Sequence, residues 1–233
     1  IMAAGILDYD WMMSNNGQRP WHGLGSVIDD PKISSEDALR IAKLDWTVEK
    51  EPIFLSNGLC IPNQYATVRS DLKGKEESCL GIVGSKYKVL QNTEAFNFVD
   101  GVVEGLNAEV ETCGSLWNGK KVFILIKLPK SELLGDEIED YMFFSNSHDG
   151  TSAVQAGLTS VRVVCNNTLQ AALKSADRVW TCRHTSSLEG NQIREAKASL
   201  KLVETYMTER KELVEKMAVT KVNFDDFMKQ FTD

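Results

Sequence analysis

The sequence predicts an α+β fold, an antiparallel sheet of hairpin-linked strands with helices packed on one face and a long C-terminal helix. Three observations predict it. Runs rich in β-branched and aromatic residues follow one another with turn signals between them, instead of alternating with helices. Helical periodicity is confined to separate stretches. No doubly wound unit is visible: "GLGSVI" at 23–28 lacks a third glycine and follows no strand.

Residues 1–33 read as an irregular N-terminal segment, because "NNGQRPWHGLGSVIDDP" is dense in Gly, Pro, Asn and Asp. A core domain follows over 34–189, and a helical segment over 190–233. Ser34 caps a helix with early acids, "SSEDALRIAKL", and Ile33 is placed to staple against Ala38. "WTVEKEPIFL", "LCIPNQYATVR" and "CLGIVGSKYKVL" are three strands joined by "SNG" and "DLKGKEE", with Pro52 and Pro62 marking edges or bulges. Asn92 and Thr93 are caps for a helix whose Phe96, Val99, Val102, Val103 and Leu106 share a face. "AEVETCGSLWNGKKVFILIKLP" is a hairpin turning at Asn118–Gly119, and its unbroken "VFILI" belongs at the centre of a sheet. A strand over Tyr141–Ser145, a turn at "HDG", a strand ending at Cys165 and a helix from Asn166 or Asn167 come next. "DRVWTCRHT" is a further short strand, and from Asn191 the composition turns helical. In the last stretch Phe224, Phe227, Met228 and Phe231 keep an i, i+3, i+4, i+7 stripe suited to an oligomer or partner contact.

The chain of 233 residues can bury a core without metal or disulfide staples. Five cysteines with no C-x-x-C spacing suggest reduced thiols. No run approaches the roughly 18 apolar residues of a membrane span, and "IMAAGIL" lacks a basic n-region. A cytoplasmic protein without membrane contact is expected. Nothing in the sequence requires an enzyme. The three histidines have no ligand partners at metal spacing, and "SHD" at 147–149 reads as a polar turn, since adjacent residues cannot converge as a triad. No catalytic residue, metal or cofactor is therefore assigned.

Charge is uneven within a net of -7. Residues 1–51 hold nine acids against five bases, whereas 141–188 hold Asp149 and Asp177 against Arg162, Lys174, Arg178 and Arg183. Lys86 and Lys88, together with Lys120 and Lys121, lie on strands that could join the same sheet and line a basic track for phosphates. Tyr87, Trp117 and Trp180 offer stacking planes, although such rings are more often core. Lysines alternating on a strand equally describe its solvated face.

"PWHGLG" at 20–25, "VGSKYKVLQNTEAF" at 83–96 and "VRVVCNNTLQAAL" at 161–173 resemble segments of a phage- and plasmid-encoded family of no settled function, over roughly residues 16–220. The order helix, three antiparallel strands, helix, hairpin is also similar to the core of the single-strand annealing proteins of the Red beta and RecT types. That likeness implies single-stranded DNA binding and annealing, as a phage-type recombination mediator. It implies no nucleotide requirement, a homo-oligomeric ring or filament, and a bacterial host cytoplasm. On that reading Lys86 and Lys88 form one wall of the DNA groove. Arg162, Lys174, Arg178 and Arg183 form the other, and Asn166 and Asn167 cap a helix aimed at a phosphate. Two rivals stand beside it. One is a host-interaction or anti-defence protein using Trp21 and the terminal Phe/Met stripe; the other is a metal-dependent nuclease with an unrecognised site.

Overall fold

The computed structural model describes residues 5–133, 136–176, 179–185 and 192–220. The fold is α+β, built on a seven-stranded sheet. Its order is β12 (Val179–Cys182), β11 (Val154–Thr159), β10 (Tyr141–Ser147), β7 (Lys121–Lys127), β6 (Glu109–Leu116), β1 (Met12–Asn15) and β2 (Ser26–Ile28). Every pairing is antiparallel except β1 with β2. A second sheet, β3 (Val48–Phe54), β4 (Cys60–Arg69) and β5 (Cys79–Gly84), is a three-stranded meander. β8 (Ser131–Leu133) and β9 (Asp136–Ile138) form a small hairpin.

"VFILI" occupies β7, flanked by β6 and β10, and both of its faces are buried. Val122, Ile124 and Ile126 pack with α1 (Ser35–Ile41) and α2 (Asn92–Leu106), while Phe123 and Leu125 pack with Leu169 and Ala172 of α3 (Asn166–Ser175). Helices therefore cover both faces of the large sheet, not one, which is why β7 is apolar without alternation. α4 spans Gln192–Val219. It is not the long packed helix expected: Val203 is its buried side chain among those described, and from Lys211 on only Val214 is not exposed.

Several local expectations hold, and others shift for identifiable reasons. Ser34 caps α1, its hydroxyl accepting from the Asp37 N–H. The N-cap of α2 is Gln91, not Asn92: Glu94 accepts from the Gln91 N–H, and the Gln91 amide pairs with both backbone groups of Val48. Residues 1–33 are not simply irregular. Met12 and Met13 are fully buried in β1, and Gly25, at φ +108°, lets β2 return beside it, where a Cβ would lie 2.6 Å from the Met12 oxygen. The β6–β7 turn holds four residues, 117–120, with Trp117 and Asn118 left-handed. The strand expected to end at Cys165 stops at Thr159. Among the described residues, no helix is long and apolar enough to cross a membrane.

Candidate nucleic-acid interface

β5 ends at Gly84, so Lys86 and Lys88 lie on a loop and not on a strand. The Lys50 ammonium ends it by donating to the carbonyls of Gly84, Ser85 and Tyr87 at 3.4, 3.0 and 2.9 Å. The rest of the segment is fastened residue by residue. The Tyr87 hydroxyl donates to the Ser147 carbonyl at 2.6 Å, and its ring stacks on His184 with centroids 4.5 Å apart. Lys88 N–H donates to the His184 carbonyl, and the Lys88 carbonyl accepts from His184 Nδ1, each at 3.0 Å. The Leu90 carbonyl accepts from Asn146 Nδ2, and Asn92 bridges the Leu44 carbonyl and His148 Nε2. Lys86 and Arg183 stand exposed on this fixed frame.

"SHD" does lead into a polar turn, but within it the His148 ring is wholly buried against Trp46. The Asn92 carboxamide, oriented by Leu44, accepts at His148 Nε2, so that nitrogen carries the proton of the neutral ring. Burial drives the imidazole pKa down to about 3. The buried side-chain atoms without a hydrogen-bond partner among the described residues are Trp46 Nε1, Asn146 Oδ1, His148 Nδ1 and His184 Nε2, and all four side chains belong to this seam.

Strand directions sort the basic residues by end. β7 starts, β10 ends and β12 ends at one edge of the large sheet, with Lys121 paired to Ser147 and Cys182 to Val154. Lys120, Lys121 and Arg183 therefore share that end, and the bonds above bring Lys86 and Lys88 to it. Asn166 adjoins it too: a Cβ on Gly5 would lie 2.8 Å from Asn166 Cβ and 2.9 Å from the Trp117 indole. The helix cap, however, is Cys165, and Asn166 and Asn167 are the first two residues of α3. Lys174 sits at the opposite end, where Ser175 meets Thr159. Arg162 is spent internally, its guanidinium bonded to Glu111 at 2.7 Å and to Ser14 at 2.8 Å. A seven-residue strand is about 20 Å long, so Lys174 does not join one wall with Lys86. Arg178 and the Phe224, Phe227, Met228 and Phe231 stripe lie outside the described residues. Trp21 is 70% exposed on the β1–β2 loop. His22 ties that loop to the 161–173 segment, with Nδ1 accepting from Leu24 N–H and Nε2 donating to the Val164 carbonyl.

A cleft of about 520 Å³ opens at the same sheet end. It is lined by Leu7, Trp117 and Asn118, by Lys120 and Lys121, by Glu76, Glu77 and Cys79, and by Asp149 and Thr151. Asp10, buried beneath it, holds the turn: its carboxylate accepts from the N–H groups of Leu7, Asn118 and Gly119 and from the Ser115 hydroxyl. Arg69, also buried, lies over Trp46 and donates to the carbonyls of Tyr9 and Asn118. This cleft was not legible in the sequence, because its walls come from four separated segments; the one available hint was an acid at position 10 preceding an apolar strand. All five cysteines are free, and no group of three or more His, Cys, Asp or Glu suited to a metal occurs among the described residues.

Residues 79–233 match the family model described as Domain of unknown function (DUF932). No curated protein and no solved structure matches.

Proposed function

The chain belongs to the DUF932 family, and from that premise we propose that it binds single-stranded DNA at the basic end of its large sheet, in support of strand annealing without a nucleotide cofactor. One observation carries the reading. In a chain of net charge -7, loops from both sheets and the start of β7 bring the five cations Lys86, Lys88, Lys120, Lys121 and Arg183 to one end, against the three carboxylates of Glu76, Glu77 and Asp149 in the cleft there. Local concentration of positive charge, and not the total, decides whether a phosphate backbone is attracted. The order α1, β3–β4–β5, α2, β6–β7 adds support, being the order that resembles the annealing proteins. The binding surface differs from the one expected in the sequence, since Arg162 and Lys174 are not part of it.

The test is fluorescence anisotropy with a labelled oligonucleotide across a salt series, followed by annealing of complementary strands without ATP. Log affinity is expected to fall with log salt at about -0.7 per phosphate contact. Lys86→Ala/Lys88→Ala and Lys120→Ala/Lys121→Ala should each weaken binding and flatten that slope. No binding at low salt would refute the proposal.

A protein-contact reading is favoured by a different feature. β3 and β4 run past the end of β5 as a two-stranded hairpin, with Phe54, Leu55 and Leu59 more than half exposed near its tip. Apolar side chains presented this way suit a protein partner. Pull-down from nuclease-treated host lysate, lost in Phe54→Ser/Leu59→Ser, is the expected result for that reading.

A further inference from the structure

We propose that the cleft beside Trp117 receives one unstacked base of the bound strand and favours a base carrying an exocyclic amino group. This rests on the single-strand reading above and adds to it a subsite that discriminates among bases.

Trp117 is the stacking plane. Of the three rings singled out in the sequence, Tyr87 is already stacked on His184 and Trp180 packs against the larger core, whereas Trp117, packed on one side against the second core cluster and Gly5, also lines the cleft. Its position is tightly prescribed. The backbone is left-handed at φ +59°, and its N–H donates to the Gly5 carbonyl at 2.7 Å. The next two N–H groups bind Asp10 at 2.9 and 3.0 Å, and Arg69 holds the Asn118 carbonyl from below. An indole already ordered loses little freedom on stacking, and base–aromatic stacking is a general source of single-strand affinity.

The walls of the cleft differ in chemistry. Lys120 and Lys121 supply cations on the hairpin side, where a phosphate flanking the base would lie. Glu76 and Glu77 supply carboxylates on the side of the β4–β5 connection. An ionised carboxylate only accepts hydrogen bonds. Cytosine offers it an amino group, whereas thymine offers a single imide N–H between two carbonyls that repel it. Asp149 is partly occupied, its Oδ1 accepting from Ser147 Oγ and from the N–H and hydroxyl of Thr151, so Glu76 and Glu77 are the readers the test substitutes. The volume of about 520 Å³ is ample for a base with its sugar.

The experiment compares oligo(dC) with oligo(dT) of equal length on the full chain at pH 7.5 and fixed salt. It also follows the Trp117 indole N–H by NMR while dCMP or dTMP is added, the resonance being assigned through Trp117→Phe. Oligo(dC) should bind about fivefold tighter than oligo(dT). Glu76→Gln/Glu77→Gln should bring the ratio near one while leaving the salt slope for oligo(dT) unchanged. Only dCMP should shift the indole strongly. Equal salt-dependent affinity for both oligomers, with no preferential dCMP shift, overturns the subsite and leaves the single-strand reading standing. A dCMP-selective shift with no oligomer binding supports the subsite and removes the single-strand reading. Loss of both signals overturns both.

Discussion

Arg162 illustrates how a charged residue can look like a ligand site in sequence and serve the fold in space. Its partner Glu111 keeps only 4% of its side chain exposed, and burial pushes that carboxyl upward while Arg162 pulls it back. Removing the guanidinium strands a buried charge, so Arg162→Ala should destabilise by on the order of 3 kcal/mol in urea unfolding. DNA affinity of the folded fraction should be unaltered. His148 makes a pH prediction. Its folded pKa, about 3, lies below the unfolded value of 6.5, so the unfolded chain binds the extra proton first. Stability is therefore fully present above about pH 6.5 and is lost as pH falls toward 3, by up to about 1.4 kcal/mol per unit. Asp10 and Glu111, whose carboxyls are raised by burial, contribute with the opposite sign, so the comparison needs a variant. Urea midpoints from pH 7 to pH 4.5 should drop less steeply in His148→Phe than in the parent chain. Neither role was visible in the sequence, because a histidine in "SHD" and an arginine in "VRVV" carry no mark of the partner that buries them.

At the scale of elements, patterns that depend on near neighbours were legible. The Ser34 cap, the three meander strands, the α2 helix and the central "VFILI" strand follow from capping chemistry and periodicity, which act within a few residues. Elements set by distant contacts were not. β5 stops where Lys50 collects three carbonyls, and the β6–β7 turn takes four residues because Asp10, more than 100 positions away, binds its N–H groups. Asp10→Ala should therefore cost on the order of 3 kcal/mol from its lost bonds, and in the folded fraction should also erase the preference for oligo(dC) by releasing Trp117. The close approach of the 147–151 turn to β5 gives a second prediction. A Cβ on Gly81 would lie 2.6 Å from the Asp149 carbonyl oxygen, a backbone atom that cannot swing aside. Gly81→Ala should lower stability by about 1–3 kcal/mol and weaken oligonucleotide binding, because the turn joins the Tyr87 anchor to the cleft.

For the whole molecule, the question is which end of the sheet a polyanion meets. The sequence showed cationic clusters but not their ends, because which end a strand terminus occupies depends on the direction of every strand between. With antiparallel pairing, Lys120 and Lys121 fall at one end, and Lys174, through Ser175 and Thr159, at the other. The acidic total opposes binding at any surface that does not locally exceed it. The two ends should then respond differently to loss of positive charge. Lys120→Ala/Lys121→Ala is expected to reduce the magnitude of the log affinity–log salt slope by about 1.4, two contacts at about 0.7 each. Lys174→Ala, which also removes a cation, should leave slope and affinity unchanged. Both substitutions lie at exposed or half-exposed positions, so unchanged urea midpoints would confirm that the folded population is the same. Equal losses from both variants would mean that the strand tracks the length of the sheet, against an end-on arrangement. A loss from Lys174→Ala alone would move the interface to the far end and take the base subsite with it.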